Sequence, residues 1–308
     1  MKSAMKFLIT GATGFVGKHL LKTLHQQNYD IVVLSRDAEK AKKSLPFPLT
    51  AFSWNPGSEP APVQAFEGVD VVIHLAGEGV ADHRWSAAQK LKIRNSRLHG
   101  TKNLVHTINQ LQVKPKAFIS TSAIGIYGDR SDEILSETAE TGSGDFLSDV
   151  CRIWETEAQK VQGVRLCLVR VGIVLGLDGG ALAKMRLPFK LGVGGRLGSG
   201  KQWMSWIHVQ DLVNLYIHLA LNETAQGIFN GTAPEPETNA NFTKILGKAL
   251  GRPTIVPAPA FALKLLLGEM SAILLNSQHC EPKRVLQSGF QFRFAKLVDA
   301  LSDLLRRR

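Results

Sequence analysis

Phe7-Leu8-Ile9-Thr10-Gly11-Ala12-Thr13-Gly14-Phe15-Val16-Gly17 runs a short apolar stretch straight into three glycines spaced three apart. Behind it, Leu20, Leu21 and Leu24 fall on one face of a helical pattern. Strand, glycine loop and helix in that order are the context that gives such spacing meaning. Gly11 permits a tight turn, Gly14 lets the backbone approach a pyrophosphate, and Gly17 lets the helix pack closely on the sheet. Unpaired N–H groups at the start of the helix then face the phosphates. Thr13, Phe15 and Val16 fill the loop between the glycines and belong to the same expected contact. The plain alternative is a turn that merely needs glycine.

Working outward, Ile31-Val32-Val33-Leu34 reads as a second buried strand, residues 49–54 as a third, and Val69–Leu75 as a fourth. Asp37-Ala38-Glu39-Lys40 reads as a loop and helix start. A long helix is expected over 84–111, ending before Pro115. A fifth strand follows at Ala117–Thr121, a helix at 146–160, and a sixth strand at Val164–Val171. Strand and helix alternate throughout, which argues for an α/β protein with a doubly wound parallel sheet covered on both faces. After 175 the texture changes. Gly179-Gly180, Gly192, Gly194-Gly195, Gly198 and Gly200 mark long loops of the kind that more often carry function than not. Helices are expected at Asp211–Leu221, Thr238–Leu250 and 295–305. The chain thus divides into a nucleotide-binding part, 1–175, and a smaller C-terminal substrate lobe, 176–308, with some elements returning to the main sheet.

The 308 residues are 44% hydrophobic and 20% charged, which excludes disorder, collagen and a disulfide scaffold. A chain of this length buries roughly three quarters of its unfolded surface and needs no metal or disulfide to hold a core. The 37 basic and 26 acidic residues leave a net charge of +11, part of it in the terminal Arg306-Arg307-Arg308. No dense basic run lies inside the chain, so nucleic acid is not an expected partner. Cys151, Cys167 and Cys280 show neither zinc spacing nor a disulfide framework, and no metal is expected. The start, Met1–Lys6, does not read as a signal peptide, and no stretch reaches the ~20 apolar residues of a membrane span. The expectation is a cytoplasmic protein acting on a small molecule, with a homodimer left open.

The end of the second strand bears on the cofactor. An acidic residue there would hold a ribose 2′-hydroxyl, whereas this chain has Leu34-Ser35-Arg36, with Asp37 one place later. Arg36 can pair with a 2′-phosphate and Ser35 can donate to it, so NADP (NADPH) is favoured over NAD. In the other reading Arg36 is a solvated charge and Asp37 takes the ribose.

His74-Leu75-Ala76-Gly77, Gly100-Thr101-Lys102-Asn103-Leu104, Ser120-Thr121-Ser122-Ala123 and Trp206–Leu212 follow the glycine loop in an order that resembles the extended short-chain dehydrogenase/reductase (SDR) superfamily across nearly the whole chain. Ser96-Arg97, Cys151–Glu155, Gly198–Trp203 and Pro257–Leu267 with Gly268-Glu269-Met270 narrow the resemblance to the atypical subgroup known as epimerase family proteins. Some of that subgroup are described as sugar-nucleotide epimerases and some as cell-division-related. The resemblance implies a seven-stranded Rossmann-like sheet. It also implies cofactor contacts from Trp54, Leu75, Ala76, Gly77, Arg97, Ser120, Val171 and Ile173.

Where the superfamily has Ser, Tyr, Lys and Asn, the resemblance puts Ser122, Leu147, Cys151 and Arg97. Leu147 cannot move a proton, and a neutral thiol at Cys151 lends no positive charge to a neighbour. Substitutes are at hand. Tyr127 either reaches the cleft or packs in the loop after the fifth strand. Cys151 either contacts the cofactor or fills space. Arg97 either pairs with a cofactor or substrate anion or forms a structural ion pair. On the substrate side, Arg186, Lys190, Arg196 and Lys201 with Trp203, Trp206 and His208 suit a phosphate- or carboxylate-bearing ligand with a flat part, unless the tryptophans are core and the charges solvated. His208 resembles a strand-end histidine of the superfamily and need not be a catalyst. The sequence supports an NADP-binding oxidoreductase or epimerase-like enzyme acting on a small polar or anionic substrate. The rival is a cofactor-binding regulatory or scaffold protein that has lost catalysis.

Overall fold

Lys6–Thr10 forms β1, the strand on which the computed structural model, describing residues 5–306, is organised. The start of the expected non-signal segment, residues 1–4, and two of the terminal arginines, Arg307 and Arg308, lie outside the described residues. Phe7, Leu8 and Ile9 are completely covered, as an apolar run between two helical layers must be. β2 (Asp30–Ser35), β3 (Thr50–Ser53), β4 (Val71–His74), β5 (Ala117–Ala123), β6 (Arg165–Val171) and β7 (Gly227–Gly231) complete a seven-stranded sheet of order β7-β6-β5-β4-β1-β2-β3. Every pairing in it is parallel. This is the Rossmann-like sheet, and the chain reverses direction of growth between β1 and β4. Ligands of such sheets bind outside the carboxyl ends of the strands at that point.

The longer helices are α1 (Phe15–Gln26), α2 (Ala38–Ser44), α3 (Ala87–Gln110), α4 (Phe146–Ala158), α5 (Gly180–Lys190), α6 (Val209–Leu221), α7 (Asn239–Leu250) and α8 (Ala260–Leu267), with a last helix at Leu297–Arg306. Leu20, Leu21 and Leu24 of α1 and Leu212, Leu215 and Tyr216 of α6 share one core with Phe7 and Ile9. Leu104, Val105 and Ile108 of α3 and Ala158 of α4 share the opposite core with Leu8 and Phe118. The smaller lobe has its own core, in which Leu182 and Phe189 of α5 meet Phe242 and Leu246 of α7 and Leu301 and Leu304 of the last helix. α6 and β7 belong to the sheet layers although they follow residue 175. The stretch expected to be only long loops contains α5, because Leu182, Met185 and Phe189 recur at helical spacing and pack against that lobe core.

Two buried polar groups tie layers together. His74 accepts or donates between Thr10 Oγ1 at 2.7 Å and Thr101 Oγ1 at 3.1 Å, linking β1, β4 and α3. Burial holds its pKa down to about 3, so the ring is neutral. Arg170 of β6 meets both carboxylate oxygens of Glu155 of α4 at 2.8 Å, with both side chains nearly inaccessible. That pair fixes α4 against the sheet, and α4 carries Leu147 and Cys151.

Candidate active site

At the carboxyl ends of β1, β2 and β4 lies a cavity of about 290 Å³, walled by the glycine loop, the end of β2 and the segment after β4. Gly11, Thr13, Gly14, Ser35, Arg36, Trp54, Leu75, Ala76 and Gly77 all line it, together with Pro56, Glu78 and Ser96, which the sequence did not single out. Gly11 has φ +71, and a Cβ there would lie 2.8 Å from the backbone N of Ala76. At Gly17 a Cβ would lie 2.3 Å from the carbonyl oxygen of Gly11. Gly14 differs: its Cβ would meet only Gly11 O at 3.2 Å, leaving the cavity side open. Gly14 caps α1 with no side-chain hydrogen bond, and the first turn of α1 has no acidic residue. The cradle therefore offers backbone donors and bare space to a pyrophosphate, and a dinucleotide fits the donor set.

At the β2 end, Asp37 is engaged elsewhere. Its Oδ1 accepts from Lys40 N at 2.9 Å as the cap of α2. Arg36 is exposed beside the cavity. Trp54 is buried, its Nε1 donating to Glu59 O at 3.0 Å, so the indole is a fixed wall. Phe15, Val16 and Gly17 do not line the cavity. The Phe15 ring lies where a Cβ on Gly176, Gly179 or Gly180 would be, at 2.4–2.9 Å, which explains those glycines.

A second cavity of about 240 Å³ opens between the end of β5, α4, the start of α5 and the C-terminal lobe. Arg97, Cys151, Val171, Ile173 and Trp203 line it, as do Ala123, Leu147, Asn276 and Gln278. Arg97 Nη1 donates to Glu78 O at 2.9 Å and Ile93 O at 3.1 Å, and its guanidinium lies 4.8 Å from the centre of the Trp154 ring. Burial pushes the Cys151 thiol up to about 12 despite the nearby Arg97, so the sulfur keeps its proton at neutral pH.

Seven expected site residues lie elsewhere. Ser122 is covered and does not line the second cavity; successive strand residues point to opposite sides, and Ala123 is the one presented. Ser120 is likewise covered. Tyr127 packs in the core, its hydroxyl donating to Asn230 Oδ1 at 2.8 Å and accepting from Arg170 Nη1 at 3.0 Å. Burial raises this phenol to about 12, which removes it as an acid–base group near neutrality. Trp206 is fully buried, its Nε1 donating to Glu235 O. His208 caps α6, accepting from Gln210 N, with its ring against Phe294. Arg186 and Arg196 line neither cavity; their neighbours Met185 and Leu197 do. Among the described residues no cluster of His, Cys, Asp and Glu could hold a metal ion. No described helix is long and apolar enough to cross a membrane.

The family model for the NAD dependent epimerase/dehydratase family matches residues 7–230. The chain belongs to that family. A second model, a domain of unknown function, matches residues 258–304, the tail that helps wall the second cavity. Within the family, the chain is 39% identical to the chloroplastic epimerase family protein SDR39U1 homolog of Arabidopsis thaliana, over 99% of this chain and 88% of that one. It is 37% identical to the epimerase family protein YfhF of Bacillus subtilis, over 99% of each. The crystal structure of human epimerase family protein SDR39U1 with NADPH superimposes with a TM-score of 0.89 at 32% identity, covering 99% of this chain and all of that one. Fold and relatives make this an NAD(P)-binding protein of the epimerase and oxidoreductase kind.

Proposed function

We propose that the protein is an NADP(H)-dependent oxidoreductase whose hydride transfer runs without a side-chain proton shuttle. One observation carries the reading: Leu147 and Cys151 line the wall at the positions of the tyrosine and lysine, and Ser122 is covered while its neighbour Ala123 lines the cavity. Bound NADPH would supply a hydride to an acceptor carbon and be left as NADP+. The glycine loop and the first turn of α1 would hold the pyrophosphate, and Ser35 and Arg36 the 2′-phosphate. Arg97 is the one charged side chain lining the second cavity among the described residues. Its guanidinium would stabilise the negative charge left on the acceptor's oxygen, which takes its proton from water.

The test follows NADPH absorbance against a panel of simple ketones, quinones and conjugated enals. Acceptors whose anion is delocalised should turn over, whereas simple ketones should be slower by roughly 10²–10⁴-fold for want of general acid help. Arg97→Met should lower the rate about 10²-fold. No turnover of any acceptor by a protein that binds NADPH would overturn the enzyme reading in favour of a cofactor-holding protein.

Cofactor choice is a separate expectation, supported by the engaged carboxylate of Asp37 and by the NADPH of the human relative. Arg36→Ala should weaken NADPH about 10–100-fold, the loss of ~1–3 kcal/mol for a charge-assisted contact, and leave NADH within about threefold. Isothermal titration checks it, and equal losses for both cofactors would count against the assignment.

A further inference from the structure

The wall of the second cavity says what its ligand looks like. Trp203 is held there by both edge and face. Its Nε1 donates to Asp132 Oδ1 at 2.9 Å, and His279 stacks on it at 3.9 Å between ring centres, 21° from parallel. An indole so fixed is a rigid platform, and it is half-buried in the cavity wall. The cavity also presents Leu147, Met185, Leu197, Ile273 and Leu274. Besides Arg97 the polar side chains, among the described residues, are three, Asn239, Asn276 and Gln278. Asn239 is already committed, its Oδ1 accepting from Leu197 N at 2.8 Å and its Nδ2 directed to Met204 Sδ at 3.3 Å. Gln278 Nε2 donates to Gly128 O at 2.8 Å. Arg97, also in the wall, lies beside Gly77 of the cofactor cavity.

We infer that the substrate is a flat, largely apolar ring system that stacks on Trp203 and carries an oxygen toward Arg97. The inference rests on the oxidoreductase reading above and adds the substrate class to it. An aromatic pair gains from offset stacking beyond its buried area, and a preorganised platform loses little entropy on binding. A sugar fits poorly, because its hydroxyls would leave water for a wall of aliphatic side chains and find few partners. At about 240 Å³ the cavity is also at the small end for ligand sites.

The probe is 2,3-dimethyl-1,4-naphthoquinone, whose ring carbons are blocked against thiol addition, with UDP-glucose as the polar comparison. Affinity is measured by ligand-observed NMR on the protein saturated with NADP+, so no turnover is needed. The quinone should bind and UDP-glucose should not. Trp203→Ala should weaken the quinone about tenfold or more, while Trp203→Phe stays within about threefold. Unchanged melting temperature and NADP+ affinity in Trp203→Ala would show that its loss is not misfolding; if that variant fails to fold, Trp203→Phe against Trp203→Leu gives the same comparison. Equal quinone binding by wild type and the truncated variant would overturn the inference, as would UDP-glucose binding in its place. Quinone binding with no NADPH consumed by any acceptor of the panel would leave the ring-stacking inference standing and remove the oxidoreductase reading instead.

Discussion

Gly14→Val should abolish dinucleotide binding, by at least about 100-fold, while leaving the fold within a few degrees of its normal melting temperature. Gly14 has an ordinary backbone angle, φ −74, and an added Cβ there meets only Gly11 O at 3.2 Å. The branched side chain would therefore stand in the open space of the cradle rather than in the core. Gly17→Ala should behave in the opposite order. Its Cβ would lie 2.3 Å from Gly11 O and 2.7 Å from Ala12 O, which are backbone atoms that cannot swing away. Helix α1 must then lift from the sheet, at a cost of about 1–3 kcal/mol, and binding should fall along with stability. Thermal melts and NADPH titrations on the two variants check both halves. Loss of fold in Gly14→Val with binding retained in Gly17→Ala would contradict this division of labour.

Glu155→Ala should be among the most destabilising single changes in the chain. Arg170 is 3% exposed and Glu155 5%, and the two meet through paired 2.8 Å hydrogen bonds. Removing one partner leaves a buried charge without compensation, which typically costs about 3–5 kcal/mol. For a chain of this size that lowers the melting temperature by roughly 10 °C. Glu155→Leu combined with Arg170→Met should recover much of the loss, since an apolar pair leaves no charge behind. Calorimetry on the single and double variants gives the answer. A double variant as unstable as Glu155→Ala would mean that Arg170 is needed for its contact with Tyr127 rather than for the ion pair.

Much of the fold was legible because its signals are local and redundant. The glycine spacing, the apolar run before it and the helical leucines behind it all point to one supersecondary unit, and the alternation that follows permits only a parallel sheet. The site was legible to the level of segments and missed at the level of single residues. The motif Ser120–Ala123 marks the end of β5, but which residue faces the cavity depends on a one-residue register that flips the side chain. Ser122 turns away and Ala123 faces in. The same one-position error separates Arg186 from Met185 and Arg196 from Leu197, and it replaces an anionic subsite by an apolar one. Trp203 and Trp206 lie three residues apart, yet one lines the cavity and the other is sealed beneath the lobe. Asn276 and Gln278 carry no local signal at all. They reach the cavity because the segment 276–278 runs back beside Trp203 and the loop after β5, where Gln278 N donates to Trp203 O and Ser277 N to Asp129 Oδ1. Only tertiary structure creates that neighbourhood.

In the proposed reaction no side chain of the second cavity delivers a proton near neutral pH. The most direct measurement is the single-turnover rate of NADPH oxidation, followed by stopped flow with a saturating conjugated acceptor, as pH is stepped from 6 to 9. With Ala123 and Leu147 unable to titrate and the Cys151 thiol pushed up to about 12, the rate should change by less than about twofold across that range. A rate that falls about tenfold per pH unit anywhere between 6 and 9 would reveal an ionising acid or base and contradict the claim.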